Sequence, residues 1–258
     1  MDYFHKYEAN PFAELAWNIP DQKKGSLLVL GGNTQGFQNV VKTAEMLAKN
    51  FPIEDLKVAL PEKLKNTLPP LPNLIFLPAT DTGSFTESDT LEQIIHTFDF
   101  NLLTGDFSKN NITARAITKI CEITEKPTLL TRDTTDLLSS GNPERILMNE
   151  NLYFFASLAS LKKLFQSVYY PKVILLSQPL IQIAETLHKF TLSYPVSIIT
   201  FHDGQILIAK NGNVSAVPIE KTTYSPISLL MGDAAAKIAA FNLYNPNNFE
   251  KATIAALF

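Results

Sequence analysis

Short runs of continuous apolar residues alternate along the chain with longer stretches whose apolar positions recur three and four residues apart. Ser26 to Leu30 (SLLVL) is apolar almost throughout, as a strand buried on both faces must be, and Gly31-Gly32 ends it. Between Gly36 and Asn50, residues Val40, Val41, Ala44, Leu47 and Ala48 fall on one helical face, and Asn50 and Pro52 stop the helix. The same rhythm predicts strands over Leu56 to Leu60, Leu74 to Leu77, Asn101 to Leu103 and Thr128 to Thr131. It places helices between them over Asp89 to Thr97 and Ile112 to Thr124. Further on it predicts helix Ser157 to Gln166, strand Val173 to Leu176, helix Pro179 to Phe190 and strand Val196 to Phe201.

Alternation of this kind builds βαβ crossovers, hence a mostly parallel sheet with helices on both faces. The rhythm then changes. Asp203-Gly204 precedes QILIA and Asn211-Gly212 precedes VSAVPI, and both dipeptides supply the positive φ of tight hairpin turns. An antiparallel hairpin edge should therefore flank the parallel sheet. Two Ala-rich helices, Met231 to Phe241 and Phe249 to Leu257, should cover one face. The expected fold class is a three-layer α/β/α sandwich. No linker or internal repeat interrupts the 258 residues, so one domain over 1–258 is expected, with 1–23 as an N-terminal extension.

Composition narrows the partners. Lys+Arg 22 against Asp+Glu 25 leaves a net charge of −3 and no polybasic run, which argues against binding to nucleic acid or to an anionic membrane surface. No apolar stretch approaches the about 20 residues of a membrane span. The single cysteine, Cys121, has no partner for an intrachain disulfide and sits on the periodic face of its helix, which reads as core in a reducing compartment. The first residues, MDYFHKYEANPF, carry no apolar targeting core, and a cytoplasmic location is expected. His5, His96, His188 and His202 show no metal-ligand spacing, so no protein-held metal is expected. Tyr153, Phe154 and Phe155 read as a buried strand rather than a base-stacking platform.

Ligands of open α/β sheets bind at the carboxyl ends of the strands, so three loops there are the candidate chemistry. The first, Gly31-Gly32-Asn33-Thr34-Gln35-Gly36, lacks both the GxGxxG and the GK[ST] pattern. It suits either an anion cradle or a plain strand-to-helix turn. The second, Thr104-Gly105-Asp106-Phe107-Ser108, offers Asp106 and Ser108 to a metal-bound or hydroxylated ligand, or else Asp106 caps local amides. The third is Leu230-Met231-Gly232-Asp233-Ala234-Ala235-Ala236 at the head of an apolar helix. There Asp233 can act as a base on a hydroxyl while neighbouring amides hold an anion, or it can simply serve as the helix N-cap.

The order of these pieces resembles the ribokinase-like fold, and within it the NAD(P)H-hydrate dehydratase branch, from about Lys24 to the end of the chain. Lys23-Lys24-Gly25 before the first strand and Gly31-Gly32-Asn33 after it resemble that family's opening. Its Gly-Pro-Gly-Leu-Gly turn falls on Thr104 to Ser108, of which Gly105 is kept, and its Asp-Ala-Asp strand end falls on Leu129 to Asp133. A late strand followed by a hairpin resembles Ile198 to Gly204, including Thr200. Gly-x-Gly-Asp resembles Leu230-Met231-Gly232-Asp233, with Leu230 in place of the first glycine. The resemblance implies ATP or ADP with Mg²⁺, and a small-molecule substrate such as NAD(P)H hydrate, with Asp233 as base. It implies Gly31, Gly32, Asn33, Gly105, Asp106, Asp133, Thr200, Gly232 and Ala234 as binding residues. A catalytically silent nucleotide-binding relative and a vitamin or sugar kinase of the same fold are the alternatives, and homo-oligomerisation stays open.

Overall fold

The computed structural model describes residues 2–8, 18–69, 72–131, 133–139, 143–222, 224–225, 229 and 232–258. Ten strands form one sheet: β1 (Phe4–Lys6), β2 (Ser26–Leu30), β3 (Asp55–Pro61), β4 (Leu74–Leu77), β5 (Phe100–Leu103), β6 (Thr128–Thr131), β7 (Leu152–Phe155), β8 (Ser197–His202), β9 (Gln205–Lys210) and β10 (Asn213–Pro218). Their order is β1-β10-β9-β8-β7-β6-β5-β2-β3-β4. From β4 to β8 every pairing is parallel, as the continuous apolar runs require. The β8–β9 and β9–β10 pairs are antiparallel hairpins turned by Asp203-Gly204 and Asn211-Gly212, with Asp203, Gly204, Asn211 and Gly212 all at positive φ.

Helices cover both faces. On one lie α1 (Gln38–Asn50), α8 (Asp233–Tyr244) and α9 (Phe249–Leu257), packed through Val40, Ala44, Leu47, Ala235, Ile238 and Leu257 onto Leu27, Val29, Leu102 and Leu129. On the other lie α2 (Asp89–Thr97), α3 (Asn111–Ile123), α4 (Asp133–Leu138), α5 (Glu144–Leu147), α6 (Leu158–Ser167) and α7 (Leu180–Ser193). Their apolar faces meet Leu28, Leu30, Leu103, Leu130 and Phe154. The result is the expected three-layer α/β/α sandwich. Among the described residues no helix is long and apolar enough to cross a membrane.

Two expectations need correction. Val173 to Leu176 is not a strand: Ile174 alone is buried, while Leu176 is 73% exposed and joins a surface turn. The strand that fills this part of the sheet is the aromatic one, β7, between β6 and β8. Both runs are apolar and β-prone, and only pairing partners distinguish them. The hairpins are also not the outer edge, because Phe4 to Lys6 of the N-terminal extension adds β1 in parallel to Val214 to Ala216 of β10. Cys121 is buried as expected, and burial pushes its thiol far above the ordinary range.

Candidate functional site

The loops after β2 and β5 are built into one another at the carboxyl end of the sheet. The Thr104 amide donates to the Leu30 carbonyl at 3.0 Å. The backbones then pass so closely that a β-carbon on Gly31 would lie 1.8 Å from the Thr104 carbonyl oxygen. No other residue fits at 31 without moving the chain. Asn33 completes the joint. Its Nδ2 donates to the Asp106 carbonyl at 2.9 Å, and its Oδ1 accepts from the Gln35 and Gly36 amides, both at 2.8 Å. Both ends of this side chain are thus occupied in holding the two loops together. Gly32 lies within this turn, against Phe37, and Gly105 packs on Val40 of α1. Asp106 is half-buried with its side chain against Gly36.

Gly232 and Asp233 reach the same place from the other side of the chain. Gly232 has φ of +108°, a left-handed conformation that a β-carbon disfavours, and it occupies the N-cap of α8. Asp233 is therefore the first helical residue and not the cap, and the cap residue, a glycine, has no side chain to bond the helix end. The first intrahelical bond runs from the Ala236 amide to the Gly232 carbonyl at 2.9 Å. The amides of Asp233, Ala234 and Ala235 consequently point out of the helix end, where the macrodipole favours an anion. Asp233 is exposed, whereas Ala234, Ala235 and Ala236 are buried. Leu230 and Met231 lie outside the described residues.

Beneath Gly232 sits a group of hydroxyls that the sequence motifs passed over. A β-carbon at Gly232 would lie 3.0 Å from Thr43 Oγ1 and 3.7 Å from Thr104 Oγ1. Thr131 at the end of β6 donates its hydroxyl to Thr104 Oγ1 at 2.9 Å. Thr43, Thr104 and Thr131 are all at most 3% exposed. One signal was available in the sequence: Thr43 stands at the helical spacing of Val40, Ala44 and Leu47, a polar residue on an otherwise apolar face. Thr104 touches both Gly31 and Gly232, so it joins the first and third candidate loops.

The remaining candidates lie apart from this point. Asp133 heads α4 and pairs with Lys109 Nζ at 2.9 Å, an interaction that raises the lysine's pKa through hydrogen bond and charge. Asp136 pairs with Lys163 at 3.2 Å, and Lys109, Asn110, Asp136 and Lys163 line a cavity of about 400 Å³. Thr200 is fully buried on the sheet face of Ile198, opposite to that of α8, and its Oγ1 finds no hydrogen-bond partner among the described residues. Two histidines serve structure: His188 stacks on Tyr3 at 4.0 Å and donates to the Gly212 carbonyl, and His202 donates to the Gln178 carbonyl at 2.7 Å. Among the described residues no three His, Cys, Asp or Glu side chains gather as a metal site.

Solved structures match this three-layer fold over nearly all of the chain. A ribokinase-like superfamily protein from Enterococcus faecalis superposes with a TM-score of 0.67 at 13% identity, covering 100% of this chain and 85% of its own. YxkO of Bacillus subtilis, a member of the UPF0031 family, gives 0.68 at 12% identity over 97% of this chain and 86% of its own. Bacillus subtilis pyridoxal kinase, solved as an ADP complex, gives 0.53 at 13% identity over 91% and 89%. No protein-family model matches the chain, and no curated protein matches it in sequence.

Proposed function

We propose that this chain is a nucleotide-dependent phosphotransferase of ribokinase type, acting as one domain on a hydroxyl of a small molecule with Asp233 as the base. The observation that carries the reading is the start of α8. There an exposed carboxylate stands beside the outward-pointing amides of the first helical turn and follows a glycine in the left-handed conformation. A carboxylate so placed accepts the proton of an attacking hydroxyl, and the amides stabilise charge on the phosphoryl oxygens as it transfers. Gly31, Gly32 and Asn33 shape the adjoining wall, with Gly105 and Asp106 held against them. The donor set suits Mg²⁺ bound chiefly through nucleotide phosphates and water, with Asp106 as the nearby carboxylate. Mg²⁺ would neutralise charge on those phosphates.

Two finer readings share this first step. In the NAD(P)H-hydrate dehydratase reading, supported by the resemblance around Gly31 and Gly232-Asp233, loss of the new phosphate ester restores the dihydronicotinamide. In a kinase reading, supported by the pyridoxal kinase likeness, the ester is the product. A single assay series separates them: purified protein with ATP or ADP and Mg²⁺, offered NADH hydrate and a panel of vitamin and sugar alcohols. Recovery of NADH absorbance marks the dehydratase, and a stable phosphate ester marks the kinase. Nucleotide binding by calorimetry without turnover on any acceptor marks a silent binding protein and ends the catalytic reading.

A further inference from the structure

Lys210 ends β9, two residues after the buried Ile208, and shares that residue's sheet face. It lies beside Ser197 at the amino end of β8, and thus at the opposite end of the sheet from Asp233. Its nitrogen stands 5.2 Å from the ring centroids of both Tyr153 and Phe249, two buried aromatics. Among the described residues it has neither a carboxylate partner nor a hydrogen bond. Lys210 also lines a cavity of about 280 Å³, together with Asn213, Asn248, Glu250 and Lys251. Glu250, the acid on that wall, is already bonded to Ser215 and Tyr7. We infer that Lys210 is a modification site, acylated on its side-chain nitrogen by small acyl phosphates that enter this cavity. The inference is independent of the phosphotransfer reading.

The chemistry requires a neutral amine, and the surroundings favour one. Burial against the rings withdraws water from the ammonium and lowers its pKa, while the charge of Glu150 opposes this and is the smaller effect. The ring faces attract the cation more weakly than the water they displace. Tyr153, itself pushed up to about 12 by burial, stays neutral beside it. By contrast Lys63, Lys109 and Lys189 are each bonded to a carboxylate and hold their protons more firmly. In the step itself the nitrogen lone pair bonds to the acyl carbon and the bond from that carbon to the phosphate oxygen breaks. Inorganic phosphate leaves with the electron pair, the amine proton passes to it, and an amide remains. The asparagine side chains of the cavity suit the phosphate as it departs.

The test is acetylation of the wild-type chain by acetyl phosphate, followed lysine by lysine with peptide mass spectrometry between about pH 6 and 11. Exposed Lys23 and Lys65 serve as internal references. Lys210 should reach its half-maximal rate at a lower pH than both, and near neutral pH it should react about 3-fold or more faster. In guanidinium, where the cavity is lost, the three should react alike. Equal midpoints overturn the inference, and so does a preference for Lys210 that survives unfolding. A lowered midpoint without faster reaction means a desolvated amine that the cavity does not expose, and it overturns the acylation site as well.

Discussion

Asn33 and Asp106, distant in sequence, are joined by one hydrogen bond from the Asn33 side-chain amide to the Asp106 carbonyl at 2.9 Å. Together with the two amides bonded to Asn33 Oδ1, it makes this side chain the clip between the loops after β2 and β5. Asn33→Ala leaves those groups unpaired at a half-buried position and should destabilise the fold by about 1–3 kcal/mol. Chemical denaturation reads the loss directly. Asn33→Asp keeps the two acceptor bonds and should lose less.

Asp233 gives the sharpest functional forecast. Because Gly232 and not Asp233 caps α8, Asp233→Asn should leave the melting temperature nearly unchanged while lowering turnover by about 100-fold or more. Wild-type rates in the asparagine variant would remove Asp233 as base.

Glycines 31 and 204 should respond differently to the same change. Gly31→Ala drives a β-carbon into the Thr104 carbonyl and should cost about 3 kcal/mol or more, with visible loss of soluble protein. At Gly204 nothing lies within 4 Å, and only its φ of +68° resists a side chain, so Gly204→Ala should cost about 1 kcal/mol. Parallel urea melts of the two variants settle the ranking.

Tyr153 and Tyr244 report on alkaline unfolding. Burial pushes both phenols up from 10.0 to about 12. A proton held more tightly in the folded state stabilises it below the ordinary pKa, and that contribution is lost as pH rises through the folded value. Stability should therefore decline between pH 10 and about 12. In a spectrophotometric titration of the native protein these two tyrosines should ionise late. Tyr153→Phe and Tyr244→Phe should each reduce the late fraction.

Cys121 should ignore thiol reagents in the native protein, since it is fully buried and its thiol is held far above the ordinary range. Full labelling is expected only with unfolding, and rapid native labelling would contradict the core position.

The sequence by itself determined every element whose information is local. A parallel strand inside the sheet is buried on both faces and so reads as an unbroken apolar run, which is why β2 and β6 were legible. Asp203-Gly204 and Asn211-Gly212 announced their hairpins because few other dipeptides tolerate the φ values required. Gly232-Asp233 marked the start of α8 by its residue types, although which of the two is the cap depended on backbone angles. What only the tertiary structure decided is pairing. Val173 to Leu176 and Leu152 to Phe155 are equally apolar, yet one lies at the surface and the other is β7, since strand status depends on the neighbours across the ladder. In the same way a lone Thr43 on an apolar helix face meant nothing until α1 and α8 were brought together over β5. Its approach to Gly232 spans most of the chain, and no local pattern encodes a contact of that kind.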